Sequence, residues 1–176
     1  MLNKYSLALL FCLITTLAQA QHIAPKDLIQ MHKLWQMNDP HCDKNTYDYL
    51  MTVDTNWALR TKPKTDKTGF TMILGYSKDG KSWYQPDACL LMVSLELGQP
   101  NKKSIVYGFT EVDTWNEYNK QMQLMNADKL GSGPSQGGVQ TIYTVNDIAF
   151  VLTDFPPGVM GTDRSYEVSI MVNNTK

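Results

Sequence analysis

The sequence lacks an excess of charge of either sign, and this excludes one large class of binding proteins. Its 176 residues carry 16 Lys and Arg against 17 Asp and Glu, a formal net charge of −1. Proteins that bind nucleic acid need a basic face, and proteins held electrostatically on anionic lipid need a cluster of cations. The composition therefore predicts no nucleic-acid partner and no electrostatic attachment to a membrane surface.

Long apolar runs are missing beyond residue 20, where no stretch approaches the roughly 20 residues of a membrane-spanning helix. Residues 1–20 combine the cation Lys4, an apolar run over Leu7–Leu17, and the small-x-small sequence Ala18-Gln19-Ala20. This layout is typical of a secretory signal peptide. The sequence therefore predicts an exported protein, periplasmic or secreted, with one domain over residues 21–176 and no transmembrane segment in the mature chain.

Cysteine is scarce, since only Cys42 and Cys89 follow the signal peptide. In an oxidising compartment two thiols in one small domain most often pair, and closing this loop would stabilise the fold by about 4 kcal/mol. We therefore predict a disulfide between them. The alternatives are a free Cys42 with a buried, apolar Cys89, and a catalytic thiol, for which the neighbouring His41 gives weak support.

The sequence contains none of the motifs that identify common catalytic centres. Gly-x-Ser-x-Gly, His-Glu-x-x-His and a phosphate-binding glycine loop are all missing. His41-Cys42-Asp43 is the densest group of metal-ligand types, but a zinc site needs three or four ligands at recognisable spacings. His32 lies on the flank of a predicted helix, where we expect a solvated side chain. We predict no catalytic residue, no cofactor and no metal site.

The order of the predicted elements favours an α+β fold. Apolar residues recur at helical spacing after Pro25, in a second segment capped by Asp43 or Asn45, and in a third that Asp113 or Thr114 begins with a capping box. Segments in which apolar and polar residues alternate, as they do in β-strands, follow each helical part. The predicted order is α, α, β, β, β, β, α, β, β, β, with antiparallel strands and no alternating βαβ units.

The second half of the chain begins with the best-defined helix. The members of its apolar stripe, which predicts a core-facing side, are Trp115, Tyr118, Met122 and Met125. After it, the glycine-, serine- and proline-rich segment Gly131–Gly138 is predicted to be a flexible loop. Because helices followed by antiparallel strands occur twice, we hypothesise two divergent α-β-β-β repeats, over residues 21–110 and 111–176.

Four sequence features occur together in a group of small secreted bacterial proteins of unassigned function, which this chain resembles. They are a signal ending in Ala-Gln, a leucine-rich first helix, a tyrosine-containing helix leading to a tryptophan strand, and a strand–helix–strand block. Here they are Ala20-Gln21, Leu28–Leu34, Tyr47–Trp57 and Val106–Tyr143. The layout is also similar to the tandem helix-plus-sheet architecture of the secreted β-lactamase inhibitor proteins. These resemblances imply an architecture and supply no site residue.

Because motifs for catalysis, cofactors and metals are missing, the function that remains is recognition of a partner at the protein surface. Aromatic and charged side chains are common at binding hot spots, and two predicted surface segments carry them, a hairpin tip and the Pro156–Arg164 loop. The candidate partner-binding residues are Lys78, Lys81, Trp83, Tyr84, Asp163 and Arg164. In the alternative, Trp83 and Tyr84 pack inward and stabilise a strand.

We predict a non-catalytic module that binds another protein, as an inhibitor or an immunity protein does. One alternative is an envelope enzyme or a small-ligand carrier whose site residues lie far apart in the sequence. Another is a structural component of the envelope.

Overall fold

Three helices and nine strands make up the part of the chain that the computed structural model describes, which is residues 23–61, 63–66, 69–76, 90–95, 103–159 and 164–173. The helices are α1 (Pro25–Gln36), α2 (Cys42–Val53) and α3 (Val112–Leu124). The strands are β1 (Trp57–Leu59), β2 (Lys64–Asp66), β3 (Gly69–Tyr76), β4 (Leu90–Leu95), β5 (Ser104–Phe109), β6 (Asp128–Ser135), β7 (Gly138–Val145), β8 (Ile148–Phe155) and β9 (Ser165–Val172). The predicted signal peptide lies outside the described residues.

The strands form two antiparallel meanders that join at their last strands. One meander runs β1-β3-β4-β5 and the other β6-β7-β8-β9, and β5 pairs with β9 over six residue pairs. The short β2 pairs with one end of β3. The predicted α+β fold class is confirmed. The boundary between β5 and α3 coincides with the division near residue 110, and the duplication itself stays a hypothesis.

The helices contribute to one core with a single face of the sheet. Alternate positions along the central strands are buried, as the strand period of two requires. They form one cluster with side chains of all three helices, and its strand members on β5, β8 and β9 are Ile105, Tyr107, Phe109, Phe150, Leu152, Tyr166, Val168 and Ile170. The predicted α3 stripe is confirmed, since Tyr118 and Met122 are buried and Trp115 and Met125 pack against the cluster. No helix in the described ranges is long and apolar enough to cross a membrane.

Two tyrosine hydroxyls hold the segment that precedes α1. The Ile23 backbone N–H donates to the Tyr107 hydroxyl at 3.3 Å, and the Tyr118 hydroxyl donates to the Ile23 carbonyl at 2.7 Å. Both bonds are buried, so each removes a desolvation penalty of about 1–3 kcal/mol from a backbone group. Tyr107 on β5 and Tyr118 on α3 thereby fix the segment that precedes α1.

Replacing Tyr118 with phenylalanine is expected to lower the free energy of unfolding by about 1–2 kcal/mol, because the buried Ile23 carbonyl loses its donor. Urea unfolding measures the change. Tyr47→Phe is the matched control, since its half-buried ring packs on the core without a hydrogen bond to its hydroxyl within the described structure. Equal stabilities for the two variants would contradict the role given to the Tyr118 bond.

The prediction that Gly131–Gly138 forms a flexible loop is wrong. Most of it belongs to β6, which pairs with β7 from Asp128 to Ser135 with an irregularity between Lys129 and Gly131. β6 lies at the end of the sheet, where a strand can hold Pro134 without losing a bond inside the ladder. β6 is an exposed edge strand, so it has little apolar surface to bury. For this reason it has the glycine, serine and proline content that is typical of a loop.

The predicted helix caps are also wrong. α3 begins at Val112 with Glu111 at the cap position, and α2 begins at Cys42, so the predicted cap residues lie inside the helices. No side-chain cap bond is present at either start. Instead, the Asp39 carboxylate accepts from the His41 backbone N–H at 2.8 Å and from Asn45 Nδ2 at 3.0 Å. The acceptor at the start of α2 therefore lies one turn earlier than predicted.

The predicted disulfide is not present, because Cys42 is a free cysteine; Cys89 lies outside the described residues. Lys103 Nζ lies 3.7 Å from Cys42 Sγ, donates to the Trp35 carbonyl at 2.8 Å, and lies 5.1 Å from the Trp35 ring centroid. Lys103 therefore connects the beginning of β5 to the corner between α1 and α2. The contact on the Cys42 thiol is a lysine ammonium and not a second sulfur.

Candidate functional site

The second face of the sheet carries a row of polar and small residues from four neighbouring strands. Gly108 on β5 pairs with Glu167 on β9, Glu167 pairs with Thr153 on β8, and Thr153 pairs with Gln140 on β7. The neighbours of Gly108 and Glu167 along their strands belong to the core, as does Leu152 beside Thr153, so alternation directs this row away from the helices. We call this side of β5, β7, β8 and β9 the helix-free face.

The helix-free face is composed of short and β-branched side chains. Two more cross-strand rows lie beside the first, both toward the Ser104 end of β5, and their members are Val106, Ser169, Val151, Ile142, Ser104, Met171, Ala149 and Thr144. Among the described residues of these four strands on this side, Glu167 is the one ionisable group. The face is therefore a nearly neutral platform with one acid near its centre.

A cavity of about 230 Å³ opens on the helix-free face beside Glu167. We call it the Glu167 trough, and it is lined by Ser135, Gln136, Gln140, Val151, Thr153, Phe155, Glu167, Ser169 and Met171. The polar atoms come from β7, β8, β9 and the β6–β7 turn, so they converge on one space from four segments. Convergent polar groups in a concave site are the usual mark of a binding site.

Glycine permits the β6–β7 turn to close over one end of the trough. Gln136 and Gly137 both have positive φ, of 51° and 87°, as a tight two-residue hairpin turn requires. At Gly138 a Cβ would lie 2.7 Å from the Asp154 carbonyl oxygen and 2.9 Å from Phe155 Cδ1. Since real Cβ atoms do not approach this closely, only glycine allows β7 to start against the end of β8 in this way.

Glu167 is an acid without a cationic partner among the described residues. Burial raises the pKa of its carboxyl, while the hydrogen bond that Ser169 Oγ donates to Oε1 at 3.2 Å acts in the opposite direction. No charged group contributes to this shift. The carboxylate is thus partly desolvated, carries one side-chain hydrogen bond, and is exposed to whatever enters the trough.

Arg60 is a cation on the same side of the sheet, but it lies far from Glu167. It packs over Gly75, whose added Cβ would lie 2.3 Å from Arg60 Nε. Gly75 belongs to the cross-strand row of Glu167, three strand spacings away, which is roughly 14 Å. The Arg60 Nε and Nη2 atoms are buried without a hydrogen-bond partner among the described residues. Arg60 therefore does not neutralise the trough.

A second cavity of about 310 Å³ lies beside His32, between α1 and the ends of β8 and β9. His32 is 3% exposed, so its predicted solvation is wrong. Gln36 Nε2 lies 3.1 Å from His32 Nε2 and also donates to the Lys103 carbonyl at 2.9 Å. Because an amide nitrogen can only donate, His32 Nε2 accepts, and the imidazole is neutral with its proton on Nδ1.

Burial lowers the pKa of His32 to about 4, and the opposing charge of Asp147 reduces that effect without cancelling it. A histidine with this pKa stays neutral at physiological pH and does not act as an acid. The pairing with Gln36 makes it a structural polar group under α1. His32 is therefore not poised for proton transfer at physiological pH.

Of the predicted partner-binding residues, the structure describes Arg164 alone. Lys78, Lys81, Trp83, Tyr84 and Asp163 lie outside the described residues. Arg164 Nε donates to Asp154 Oδ1 at 2.9 Å, and its guanidinium lies 5.7 Å from the Tyr166 ring centroid. The Tyr166 ring in turn stacks on Trp115 with centroids 4.9 Å apart. The charge of Arg164 is therefore already paired within the chain, which reduces its availability to a partner.

Glu167 is the residue that sequence reasoning missed, and His32 is the one that it placed wrongly in solvent. Glu167 lies between serines on the polar phase of β9, where an isolated acid is ordinary, and its trough is assembled from residues more than 30 positions apart. No signal in one sequence identifies such a site. In the comparisons with known proteins, no family model, no curated protein and no solved structure matches this chain.

Proposed function

We propose that the chain is an exported, non-catalytic protein that binds a partner protein on its helix-free face. The observation that supports this is the combination of a nearly neutral sheet face, which no described helix covers, with one partly desolvated acid on it. Four strands about 4.8 Å apart, three of eight residues and one of six, present roughly 500 Å² of projected sheet. With its rims, this is of the order of the 800 Å² that each partner contributes to a standard interface.

The size of the trough favours a protein partner over a free small molecule. Sites for drug-sized ligands usually enclose about 300–1,000 Å³, whereas the trough holds about 230 Å³. A space of this size suits one side chain of a partner that rests on the surrounding face. An inhibitor or an immunity protein would use its surface in this way.

The chemistry of the trough favours binding over catalysis. Glu167 is the one titratable group among its lining residues, whereas acid–base and nucleophilic mechanisms combine at least two positioned groups. The hydroxyls of Thr153 and Ser169 lie on neighbouring strands without a histidine or lysine base among the lining residues. The described lining of the trough can hold a group in place, and it contains no second titratable group that would transform it.

Gln140→Lys tests this proposal, because it places a long cation on the helix-free face beside the trough. We expect the variant to lose at least tenfold in affinity for the protein that the wild-type chain retains from envelope and secreted fractions, as measured by quantitative affinity capture. The matched control is Gln123→Lys, which makes the same substitution at an exposed position of α3 and is expected to bind like the wild type.

Two results would contradict the proposal. One is retention of the same partner by Gln140→Lys at wild-type affinity, which would place the interface elsewhere. The other is a wild-type preparation that captures no protein at all, which would favour the alternative of a small-ligand carrier.

A further inference from the structure

We propose that the Glu167 trough is an anchor site for the guanidinium group of an arginine side chain that the partner protein presents. The inference rests on the proposed function and names the chemistry of the contact at its centre. The geometry that carries it is the cavity beside a partly buried carboxylate that has no cation of its own, on a face with no other described charge.

Charge complementarity determines whether the group that enters the trough is a cation or an anion. Removing a carboxylate from water costs free energy unless a cation or further hydrogen-bond donors compensate it. Glu167 accepts a hydrogen bond from one side chain, the hydroxyl of Ser169. A cation that enters the trough supplies the missing interaction, so part of the free energy of pairing becomes binding energy. An anion would meet the same carboxylate with repulsion and would find no cationic group among the lining residues.

The arrangement of acceptors favours a guanidinium over an ammonium. The Glu167 carboxylate on β9, the Gln140 amide oxygen on β7 and the Thr153 hydroxyl on β8 lie along one cross-strand row. A guanidinium offers five donors in one plane and pairs with a carboxylate through two of them. It is also more weakly hydrated than an ammonium, so it costs less to bring into a partly enclosed site.

The apolar lining suits the stem of the same side chain. Val151, Phe155 and Met171 line the trough beside the polar atoms, and the methylene groups of arginine bury readily against such surfaces. A volume of about 230 Å³ is sufficient for one such side chain and too small for a typical free ligand.

The test is a titration of the full chain, labelled with ¹³C at the side-chain carboxyl of its four glutamates, with short blocked peptides. The probe is acetyl-Gly-Arg-Gly-amide. Acetyl-Gly-citrulline-Gly-amide has nearly the same shape without the charge, and acetyl-Gly-Lys-Gly-amide carries the charge without the planar fork. The Glu167 resonance is assigned by its loss in Glu167→Gln.

We expect the arginine peptide to shift the Glu167 carboxyl resonance saturably and to lower the pKa that the resonance reports. The lysine peptide should bind more weakly, and citrulline should leave the resonance unchanged. Glu167→Gln should lose at least tenfold in affinity, while Glu117→Gln, which removes the same charge from α3, should not. Equal shifts with citrulline, or undiminished binding by Glu167→Gln, would overturn the proposal.

The peptide affinity should fall when Glu167 becomes protonated at low pH, since the carboxyl then loses its charge. The groups that face Glu167 are Gly108 from β5, Thr153 from β8, Gln140 from β7, and Ser165 and Ser169 on its own strand. None of them titrates, so the pH profile reports Glu167. An affinity for the arginine peptide that does not change across the measured pKa of Glu167 would contradict the assignment.

The two proposals fail separately. If Gln140→Lys abolishes capture of the partner protein while Glu167→Gln leaves it unchanged, the helix-free face is the interface and the arginine anchor is wrong. If the arginine peptide binds at Glu167 while no protein is held on the face, the anchor chemistry stands and the proposed function is wrong.

Discussion

Acidification from pH 7 to pH 4 is expected to destabilise the fold by roughly 3 kcal/mol through His32 alone. The unfolded chain takes up a proton at this histidine near pH 6.5, whereas the folded chain does so only near its lowered pKa of about 4. Between these values the unfolded state binds more protons, so stability falls as pH falls, by about 1.4 kcal/mol for each pH unit. Above pH 6.5 the residue is neutral in both states and contributes no slope.

The measurement is urea unfolding at several pH values between 4 and 7.5 for the wild type and for His32→Gln. As pH falls over this range, we expect the wild type to lose roughly 3 kcal/mol more of its free energy of unfolding than His32→Gln loses. His41→Gln, at an exposed position, is the matched control and should follow the wild type. Parallel profiles for the wild type and His32→Gln would contradict the buried, neutral state.

Glu167 contributes a slope of the opposite sign, and the same experiment can separate it. Its pKa is raised by burial, so the folded state binds more protons than the unfolded state above the ordinary pKa of a glutamate. Stability from this residue is therefore present at low pH and is lost as pH rises through its raised pKa. Glu167→Gln should remove this component and make the acid-side loss of stability steeper.

Gly138→Val is expected to lower the free energy of unfolding by about 2–3 kcal/mol, the upper part of the usual range for overpacking. The new Cβ would lie 2.7 Å from the backbone oxygen of Asp154, and a rotamer change cannot relieve a clash with backbone. The start of β7 must move away from β8, which also opens the end of the trough. The Glu167 carboxyl resonance should shift in the variant as a consequence.

Gly133→Val is the matched control, because it makes the same substitution on β6 where nothing lies within 4 Å of the added Cβ. On an exposed strand, valine is at least as favourable as glycine, so we expect no loss of stability there. Urea unfolding compares the two variants directly. A Gly138→Val protein as stable as Gly133→Val would show that β7 does not approach β8 as closely as described.

Local patterns predicted the elements whose cause is local. The stripe on α3 and the helix that starts at Pro25 both follow from spacing within one segment. β6 was missed because an exposed edge strand needs no apolar alternation. The caps were missed because Asp39 acts on α2 from outside the predicted start.

The site could not be predicted because its cause is not local. Gly108, Gln140, Thr153 and Glu167 become neighbours only when β5 pairs with β9 and the second meander folds back beside it. The desolvation of Glu167 arises from that assembly, and its strand alone would present an ordinary solvated acid. The burial of His32 likewise depends on the ends of β8 and β9 meeting α1.

The measurement that tests the central claim most directly is site-specific photo-crosslinking in cells that produce the chain. A benzophenone amino acid replaces Gln140 on the helix-free face in one strain and Gln123 on the exposed side of α3 in another. If the partner rests on the helix-free face, irradiation will produce an adduct of one defined mass from position 140 and none from position 123. An adduct from position 123 alone, or none from position 140, would contradict the account.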